Sequence, residues 1–329
     1  MRNNLQWHPA TVRAHRDLSP TVREFEIRPE GGVRPWTVGS HLNMRIEVDG
    51  REETRSYSLI GMPNAADARE VYRIAVKLAQ PSRGGSRYLW SLETGDELLI
   101  GEPNNHFELG FGAAEFLLVA GGIGITPIVG MAQMLASKGA HLRMCYAARN
   151  AGELVYRDAL QAAIGDRLQT FSDDAGERLD LDAEIAALAP HAQLLACGPV
   201  PLLDALRDAW DRAARHPADL RFETFGNTGR HEAQPFWVEV PRHGVRIEVP
   251  ANRSLLDMLN EAGVETLYDC RRGECGLCAM DIVSVEGAVD HRDVFFSAGE
   301  KRDNRRLCAC VSRIAGGGVV LDSSYRPDA

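Results

Sequence analysis

The chain has 329 residues, of which 44% are hydrophobic and 25% are charged, proportions that are ordinary for a globular protein. This length predicts two or three domains, because a single hydrophobic core stops growing beyond roughly 250–300 residues. The net charge of −9 argues against nucleic acid as a partner, since binding to phosphates requires clustered lysines and arginines. The sequence has no apolar run long enough for a membrane span and no secretory signal at its start, which predicts a cytoplasmic protein without a membrane partner.

The first part of the chain, residues 1–109, is dominated by short strand-like segments between glycine-rich turns. β-branched and aromatic residues or alternating polarity mark these segments, which cover 21–28, 41–48, 54–60 and 71–79. Within this part, residues 86–93 have a helical pattern. Several short strands at close spacing predict an antiparallel β-barrel domain.

Strands alternate with helices between residues 110 and 226. Three apolar runs have the composition of buried parallel strands, at 116–120, 142–148 and 193–197. A helix with Pro127 in its first turn and Gly139 at its end follows the first run. Helices at 154–164 and from Pro201 follow the other two. This alternation predicts an α/β domain with a parallel sheet.

A polar, turn-rich segment, residues 227–235, is interpreted as a linker. Beyond it, residues 236–240 and 245–249 predict a hairpin. Ser254 is placed to cap a helix that Gly263 ends. Residues 236–329 are therefore predicted to form a third, small α+β domain.

Five of the seven cysteines lie in this last domain, and three of them form a C-x4-C-x2-C loop at Cys270, Cys275 and Cys278. A fourth cysteine about thirty residues later completes the plant-type spacing of a 2Fe–2S cluster. Gly273 and Gly276 would let backbone N–H groups approach the sulfurs and stabilise their negative charge.

A structural zinc site is the alternative explanation of the cysteines. Zinc sites favour two paired C-x2-C segments, whereas the second pair here is Cys308-Ala309-Cys310. A C-x-C segment cannot easily give both thiolates to one tetrahedral ion. The spacing therefore favours the iron–sulfur cluster.

The C-terminal sequence resembles the β-grasp ferredoxin domain of the phthalate dioxygenase reductase and vanillate demethylase reductase family. Two segments carry the resemblance, Asp290-His291-Arg292-Asp293 and Cys310-Val311-Ser312-Arg313. In that family the cysteine of the C-V-S-R segment is a cluster ligand, which implies Cys310, whereas plant-ferredoxin spacing alone selects Cys308. The implied metal ligands are Cys270, Cys275, Cys278 and Cys310.

Arg55-Ser56-Tyr57-Ser58 is similar to the R-x-Y-S motif of the ferredoxin–NADP reductase superfamily. The resemblance implies that the tyrosine packs against the isoalloxazine ring, that the arginine meets the flavin phosphate, and that the serine hydrogen-bonds near flavin N5. An aromatic face covering an aromatic ring and a guanidinium on a phosphate are both physically favourable.

A second flavin segment, Arg83-Gly84-Gly85-Ser86, directly precedes the predicted helix. Backbone N–H groups of a Gly-Gly turn at a helix N-terminus bind anions, so this segment is expected to hold the flavin phosphate. In the family's order, Ala75-Val76-Lys77 would line the flavin edge. This branch of the superfamily uses FMN, and nothing after Gly85 resembles a site for the AMP half of FAD, so FMN is the expected flavin.

Three further segments match the pyridine nucleotide site of the same superfamily. Gly121-Gly122-Ile123-Gly124-Ile125-Thr126-Pro127 corresponds to G-G-x-G-I/V-T-P, and Cys197-Gly198-Pro199 to the C-G-P segment beside the nicotinamide. Glu223-Thr224-Phe225-Gly226 resembles a terminal E-x-F segment, whose ring, here Phe225, covers the flavin until nicotinamide displaces it. NADH is implied over NADPH on family grounds, although Arg149 could reach a 2′-phosphate.

Taken together, these resemblances cover nearly the whole chain and imply an NADH-dependent flavin and iron–sulfur oxidoreductase. The implied protein acceptor is a Rieske-type, non-haem iron oxygenase that acts on an aromatic or related small molecule. No catalytic side chain is expected, because the cofactors carry the chemistry. Two alternatives stay open: a stand-alone NADH diaphorase or oxidase, and a redox-sensing flavin and iron–sulfur binding protein.

Overall fold

The computed structural model describes residues 6–65, 67–79, 82, 84–225, 229 and 231–322. Its contacts divide the chain into two compact units. Unit 1 comprises Met1–Gly198 and Ala209–Glu223, and unit 2 comprises Pro199–Asp208 and Thr224–Ala329. None of the helices in these described ranges combines the length and the apolar character needed to cross a bilayer.

The first sheet of unit 1 consists of seven strands: β1 (His8–Ser19), β2 (Val22–Pro29), β3 (Ser40–Val48), β4 (Arg51–Ser58), β5 (Tyr72–Lys77), β6 (Glu97–Ile100) and β7 (Asn104–Asn105). They pair in the antiparallel order β4-β3-β6-β1-β2-β5, with β7 on β3. Alternate residues of β3, among them Leu42 and Met44, are buried in the core. Ile60 donates its N–H to the Arg73 carbonyl at 2.9 Å, which joins the two ends of the strand order. The predicted antiparallel β-barrel is confirmed.

The helix of this region, α1 (Gly85–Trp90), follows β5 in the chain. Trp90 donates its indole N–H to the Val76 carbonyl at 3.0 Å, and the Arg23 guanidinium lies 4.6 Å from the Trp90 ring. These contacts fix the helix against β5 and β2. The helix ends three residues before the predicted end, because the Asp96 carboxylate accepts the Glu93 N–H at 2.8 Å and forms a turn there.

The second sheet of unit 1 is parallel throughout and contains β8 (Phe116–Gly121), β9 (Leu142–Ala148), β10 (Leu168–Ser172), β11 (Gln193–Cys197) and β12 (Leu220–Glu223). Its order is β10-β9-β8-β11-β12, with all of β8 buried at the centre. Helices α2 (Ile125–Ser137), α3 (Arg157–Ile164), α4 (Leu181–Ala186) and α5 (Val200–Arg212) follow successive strands. The predicted α/β sheet is confirmed, and its strand order reverses between β8 and β11, where open α/β sheets bind ligands.

Helix α3 begins three residues later than predicted. Tyr156 has a φ of +64°, a left-handed conformation that a helix cannot continue through. Its hydroxyl donates to the Glu24 carboxylate of β2 at 2.7 Å. This contact with the barrel accounts for a tyrosine in an unfavourable backbone conformation.

Unit 2 contains the third sheet, formed by β13 (Phe236–Val240), β14 (Val245–Val249), β15 (Ala279–Asp290), β16 (Arg306–Cys308) and β17 (Arg313–Asp322). The order is β14-β13-β17-β15-β16, and β13 and β17 form the parallel pair of this mixed sheet. Helices α6 (Leu255–Glu261) and α7 (Ala298–Asp303) complete the unit. The Ser254 hydroxyl accepts the Asp257 N–H at 3.1 Å, which confirms the predicted helix cap. The α+β fold class is confirmed as well.

Candidate flavin, nucleotide and iron–sulfur sites

The two predicted flavin segments are neighbours in space. A Cβ built on Gly85 would lie 3.0 Å from Arg55 Cγ, and one on Gly84, whose φ is +92°, would lie 2.4 Å from Val48 Cγ1. Only glycine therefore fits this turn. The turn places backbone N–H groups beside a guanidinium, a combination that suits a phosphate. Arg83 lies outside the described residues.

Strand β4 presents Arg55 and Tyr57 on one face, because side chains two positions apart share a face of a strand. Tyr57 is half-buried against the barrel core, and Arg55 pairs with the Glu53 carboxylate at 2.5 Å. Ser56 lies on the other face and donates to Asn43 Oδ1 at 2.7 Å. The face with Arg55 and Tyr57 is the one that suits a phosphorylated aromatic cofactor.

The end of β5 is held against the start of α1 by Ser86. Its hydroxyl accepts the Ala79 N–H at 3.1 Å and forms a hydrogen bond with the Ser82 hydroxyl at 3.1 Å. Ala75 and Val76 are buried. Ser86 therefore fixes the loop that carries the Gly-Gly turn.

Lys77, at the end of β5, contacts Glu153, which lies in the segment after β9. The Glu153 carboxylate accepts hydrogen bonds from Lys77 Nζ at 2.7 Å and from the Thr21 hydroxyl at 2.6 Å. Burial alone would raise the pKa of Glu153, but these hydrogen bonds outweigh it and hold the pKa below its usual value. The pair thus joins the barrel to the segment after β9.

The glycine turn after β8 packs directly on the end of β11. A Cβ built on Gly124 would lie 2.2 Å from the Cys197 carbonyl oxygen and 2.8 Å from the Gly198 nitrogen. Gly121 and Gly122 complete the turn, and the Thr126 hydroxyl donates within it, to the Ile123 carbonyl at 3.0 Å. The G-G-x-G and C-G-P segments therefore meet at the point where the strand order reverses.

A buried carboxylate, Glu223, was not assigned by the sequence analysis. Parallel pairing of β11 with β12 places it in register with Cys197, and the Ser58 hydroxyl donates to its Oε2 atom at 3.4 Å. Glu223 is 1% exposed. The sequence signal that could have found it is a carboxylate two residues before the aromatic ring of the E-x-F segment.

Two residues of the predicted nucleotide and flavin set, Pro199 and Phe225, belong to unit 2. Pro199 precedes α5, and its carbonyl accepts the Leu202 N–H at 2.9 Å. Phe225 is half-buried and follows Thr224, which is fully enclosed.

The cysteine loop of unit 2 brings its thiols into two groups. The Cys270 and Cys275 thiols hydrogen-bond to each other, and the Cys278 thiol contacts those of Cys308 and Cys310. The hydrogen bonds from Cys308 and Cys310 lower the pKa of Cys278 to about 4.

Backbone amides also converge on this loop. The N–H groups of Arg272, Glu274 and Cys275 each lie 3.4 Å from Cys270 Sγ. Thiols in two groups, with amide donors aimed at one of them, fit a 2Fe–2S cluster, whose sulfur ligands carry negative charge.

Both loop glycines occupy positions that no other residue fits. Gly273 has a φ of +77°, and a Cβ there would lie 2.7 Å from Val311 Cγ2. Gly276 has a φ of +72°, and a Cβ there would lie 2.3 Å from the Phe295 ring. The loop is therefore packed tightly against residues 293–311 and can hold its amides in fixed directions.

Cys308 and Cys310 differ in their surroundings. Cys308 ends β16, in register with Ala279 of β15, and is fully buried. Cys310 lies beyond the strand, where its thiol accepts a hydrogen bond from the Gly273 N–H of the cysteine loop. The hydrogen bond with the Cys278 thiol, followed by burial, raises the pKa of both.

Comparison with known proteins agrees with this geometry. Residues 238–315 match the family of 2Fe-2S iron-sulfur cluster binding domains, and residues 118–208 match the family of oxidoreductase NAD-binding domains. These matches contain the five clustered cysteines and the G-G-x-G and C-G-P segments. They favour the iron–sulfur cluster over structural zinc.

Relatives match over almost the whole chain. The heme-dependent oxidative N-demethylase beta subunit of Ectopseudomonas mendocina is 38% identical over 94% of this chain and 97% of its own length. A putative reductase subunit of the toluene-4-sulfonate monooxygenase system of Comamonas testosteroni is 36% identical over 95% of this chain and 98% of its own length. The solved structure of phthalate dioxygenase reductase, described as modular for electron transfer from pyridine nucleotides to 2Fe-2S, has a TM-score of 0.74 and 31% identity, covering 96% of this chain and 98% of that one. The chain therefore belongs to the phthalate dioxygenase reductase family, the oxidoreductases that use NADH, FMN and a 2Fe–2S cluster to supply electrons to oxygenase components.

Proposed function

We propose that this reductase serves a Rieske-type, non-haem iron oxygenase that acts on an aromatic or related small molecule. The observation that carries the proposal is the joint presence, in one chain, of a flavin and nucleotide edge in unit 1 and a cluster loop in unit 2. Relatives of nearly the same length are named as reductase subunits of the toluene-4-sulfonate monooxygenase and phthalate 4,5-dioxygenase systems, which act on aromatic acids. FMN supplies the conversion of electron pairs into single electrons that an iron–sulfur acceptor needs.

For FMN we propose a site on the barrel. The Arg55 guanidinium and the amides of the Gly-Gly turn bind the phosphate, and Tyr57 covers the ring. The close packing of Gly85 on Arg55 supports this assignment. The full proposed set is Arg55, Ser56, Tyr57, Ser58, Ala75, Val76, Lys77, Arg83, Gly84, Gly85, Ser86 and Phe225.

For NADH we propose the edge where β8 and β11 end. Small residues there let the dinucleotide approach the backbone, and the contact of Gly124 with Cys197 defines the bottom of the site. Arg149 is exposed just after β9, and the preference for NADH over NADPH follows the family. The full proposed set is Gly121, Gly122, Gly124, Thr126, Cys197, Gly198 and Pro199.

For the cluster we propose Cys270, Cys275, Cys278 and Cys310 as ligands. The Gly273 N–H donates to the Cys310 thiol, so Cys310 faces the loop that carries the other three ligands. Cys308 lies within the strand ladder, in register with Ala279, and is proposed to be a buried neighbour. A loop amide on the fourth thiolate stabilises its charge in the same way as the amides on Cys270.

We also propose which part of the chain binds each cofactor. Residues 1–109 bind FMN, residues 110–226 bind NADH, residues 227–235 connect, and residues 236–329 carry the cluster. Cytoplasmic residence is proposed as well, because a reducing compartment keeps the cluster thiols free of disulfides.

The test is to purify the holoprotein, record its visible spectrum and extract its cofactors. The proposal expects flavin and 2Fe–2S absorption together, release of FMN on denaturation, slow NADH oxidation with oxygen alone and fast oxidation with cytochrome c. A colourless protein that carries zinc would contradict the cofactor assignment. Fast NADH oxidation with oxygen or quinone alone, and none with a Rieske oxygenase, would instead identify a diaphorase.

A further inference from the structure

The cysteine loop contains a carboxylate whose role the cluster assignment does not explain. Glu274 lies directly before Cys275, and its side chain is 17% exposed. Its Oε1 atom accepts the Thr224 N–H at 2.9 Å, and its Oε2 atom lies 3.1 Å from the Arg272 guanidinium. All of these residues belong to unit 2.

A negative charge is costly in this place. A shielded carboxylate pays a desolvation penalty, and thiolate ligands on the same loop repel it. Arg272, whose side chain is 9% exposed, offsets part of this cost and fixes the orientation of the carboxylate. The other oxygen accepts the Thr224 N–H, so Glu274 connects the cysteine loop to a residue outside it.

Thr224 is a position where a backbone N–H requires an acceptor. It is the first residue beyond β12 (Leu220–Glu223) and is 1% exposed, so neither the strand ladder nor bulk water serves its N–H. The Glu274 side-chain oxygen supplies this acceptor at 2.9 Å.

The hydrogen bond joins two short pieces of unit 2, the Thr224–Phe225 segment and the cysteine loop. Phe225, proposed to cover the flavin, follows Thr224, and Cys275, a proposed cluster ligand, follows Glu274. We propose that Glu274 is a positioning residue, which holds the Thr224–Phe225 segment on the cluster loop and thereby sets the rate of electron transfer into the cluster. In this step one electron leaves the reduced flavin and the oxidised cluster gains it, with no bond made or broken. This inference rests on the proposed function.

The test compares Glu274→Gln and Glu274→Ala in the holoprotein. Glu239→Gln is the control, because it removes a carboxylate of β13 whose side chain is 38% exposed and which pairs with Arg246 only at 3.8 Å. Hydrogen–deuterium exchange of the peptide containing Thr224 reports the contact itself. Anaerobic single-turnover reduction by NADH separates flavin reduction from the later reduction of the cluster, which is followed by its paramagnetic resonance signal.

In Glu274→Ala, we expect the Thr224 amide to exchange at least about tenfold faster, because its buried N–H loses its hydrogen-bond acceptor. The later step, from reduced flavin to the cluster, should slow by about tenfold or more, since misplacement of redox partners costs rate steeply. Glu274→Gln keeps an oxygen acceptor and should restore both values to within about twofold of wild type. The control should match wild type in every measurement.

An unchanged rate of cluster reduction in Glu274→Ala, in the presence of faster Thr224 exchange, would overturn the proposal. So would a Glu274→Gln protein as slow as Glu274→Ala, because charge rather than position would then be responsible. If Glu274→Ala does not retain the cluster, the rate of cluster reduction is measured in Thr224→Pro instead. This substitution deletes the N–H donor without changing the cysteine loop, and an unchanged rate would overturn the proposal. A wild-type protein without FMN or cluster would refute the proposed function instead, so the two failures are distinguishable.

Discussion

Unit 1 and unit 2 prepare for their cofactors in opposite ways. In unit 1 the candidate site is assembled from short segments on β4, α1, β8, β11 and β12, and most of its members contribute backbone or small side chains. In unit 2 one stretch of nine residues, 270–278, supplies three of the four proposed ligands as thiols. The first site depends on how strands are ordered in space, and the second depends on spacing along the chain.

This difference predicts that substitutions in the two units affect cofactor binding in two different ways. A thiolate that binds metal cannot be replaced by a shape-similar group, so a single substitution in unit 2 should remove the whole cofactor. In unit 1 no single group carries the binding, so substitutions should act through packing or orientation and should be graded. The largest effect is therefore expected in unit 2.

Cys310→Ser should abolish the cluster, because oxygen replaces the sulfur that is proposed as the fourth ligand and that accepts the Gly273 N–H. We expect loss of iron and of the 2Fe–2S absorption, and a fall of about 100-fold or more in cytochrome c reduction, with FMN retained. Cys308→Ser is the matched control and should keep its iron. If Cys308→Ser loses the cluster and Cys310→Ser keeps it, the assignment of the fourth ligand is reversed.

Gly124→Ala should destabilise unit 1 by about 2–4 kcal/mol, because its methyl group would meet the backbone of β11 and neither strand nor helix can move away. Gly122→Ala is the comparison: its φ is +53°, yet a Cβ there meets nothing within 4 Å. We expect it to cost only about 1–2 kcal/mol of backbone strain. Urea unfolding with flavin fluorescence measures both, and the reverse order would show that the strand contact is not rigid.

Much of this fold was predictable because local signals and tertiary structure agree. The apolar runs that became β9 and β11, and the hairpin of β13 and β14, have the predicted bounds, since a buried parallel strand and a hairpin both leave strong marks in composition. The helix cap at Ser254 was also predictable, because a cap depends on residues that are close in sequence. Where short-range chemistry decides the structure, the sequence is sufficient.

The parts that escaped prediction depend on distant partners. Tyr156 shortens α3 because its hydroxyl reaches Glu24, 132 residues away. Glu223 joins the candidate site because strand order places it beside Cys197, and because Ser58 from the other sheet donates to it. Neither contact has a signature within a window of sequence, so pattern and propensity cannot find it.

Glu223→Gln should slow flavin reduction by NADH about tenfold, equivalent to about 1.4 kcal/mol of barrier, while FMN and the cluster stay bound. The carboxylate accepts the hydrogen bond of Ser58 at the end of the flavin motif, and an amide at this buried position brings a donor where an acceptor is needed. Glu115→Gln is the control. Glu115 is also buried, but it precedes β8 and therefore lies at the amino end of the strands, away from the candidate site at their carboxyl ends. Stopped-flow absorbance measures the rate, and equal slowing in both variants would attribute the effect to general destabilisation.

The smallest effect concerns Glu153, whose pKa is held below its usual value by Lys77 and Thr21 despite burial. Because the pKa of Glu153 is lower in the folded state than in the unfolded state, the unfolded state binds more protons at pH values between these two pKa values. The contribution of Glu153 is therefore complete above about pH 4.3 and is lost as the pH falls through its folded pKa. Glu153→Gln should lower the free energy of unfolding by no more than about 1 kcal/mol at pH 7, and the difference from wild type should disappear in acid. Urea unfolding at several pH values measures this, with the exposed Glu97→Gln as control. A difference that stays constant with pH would show that the contact acts through packing and not through charge.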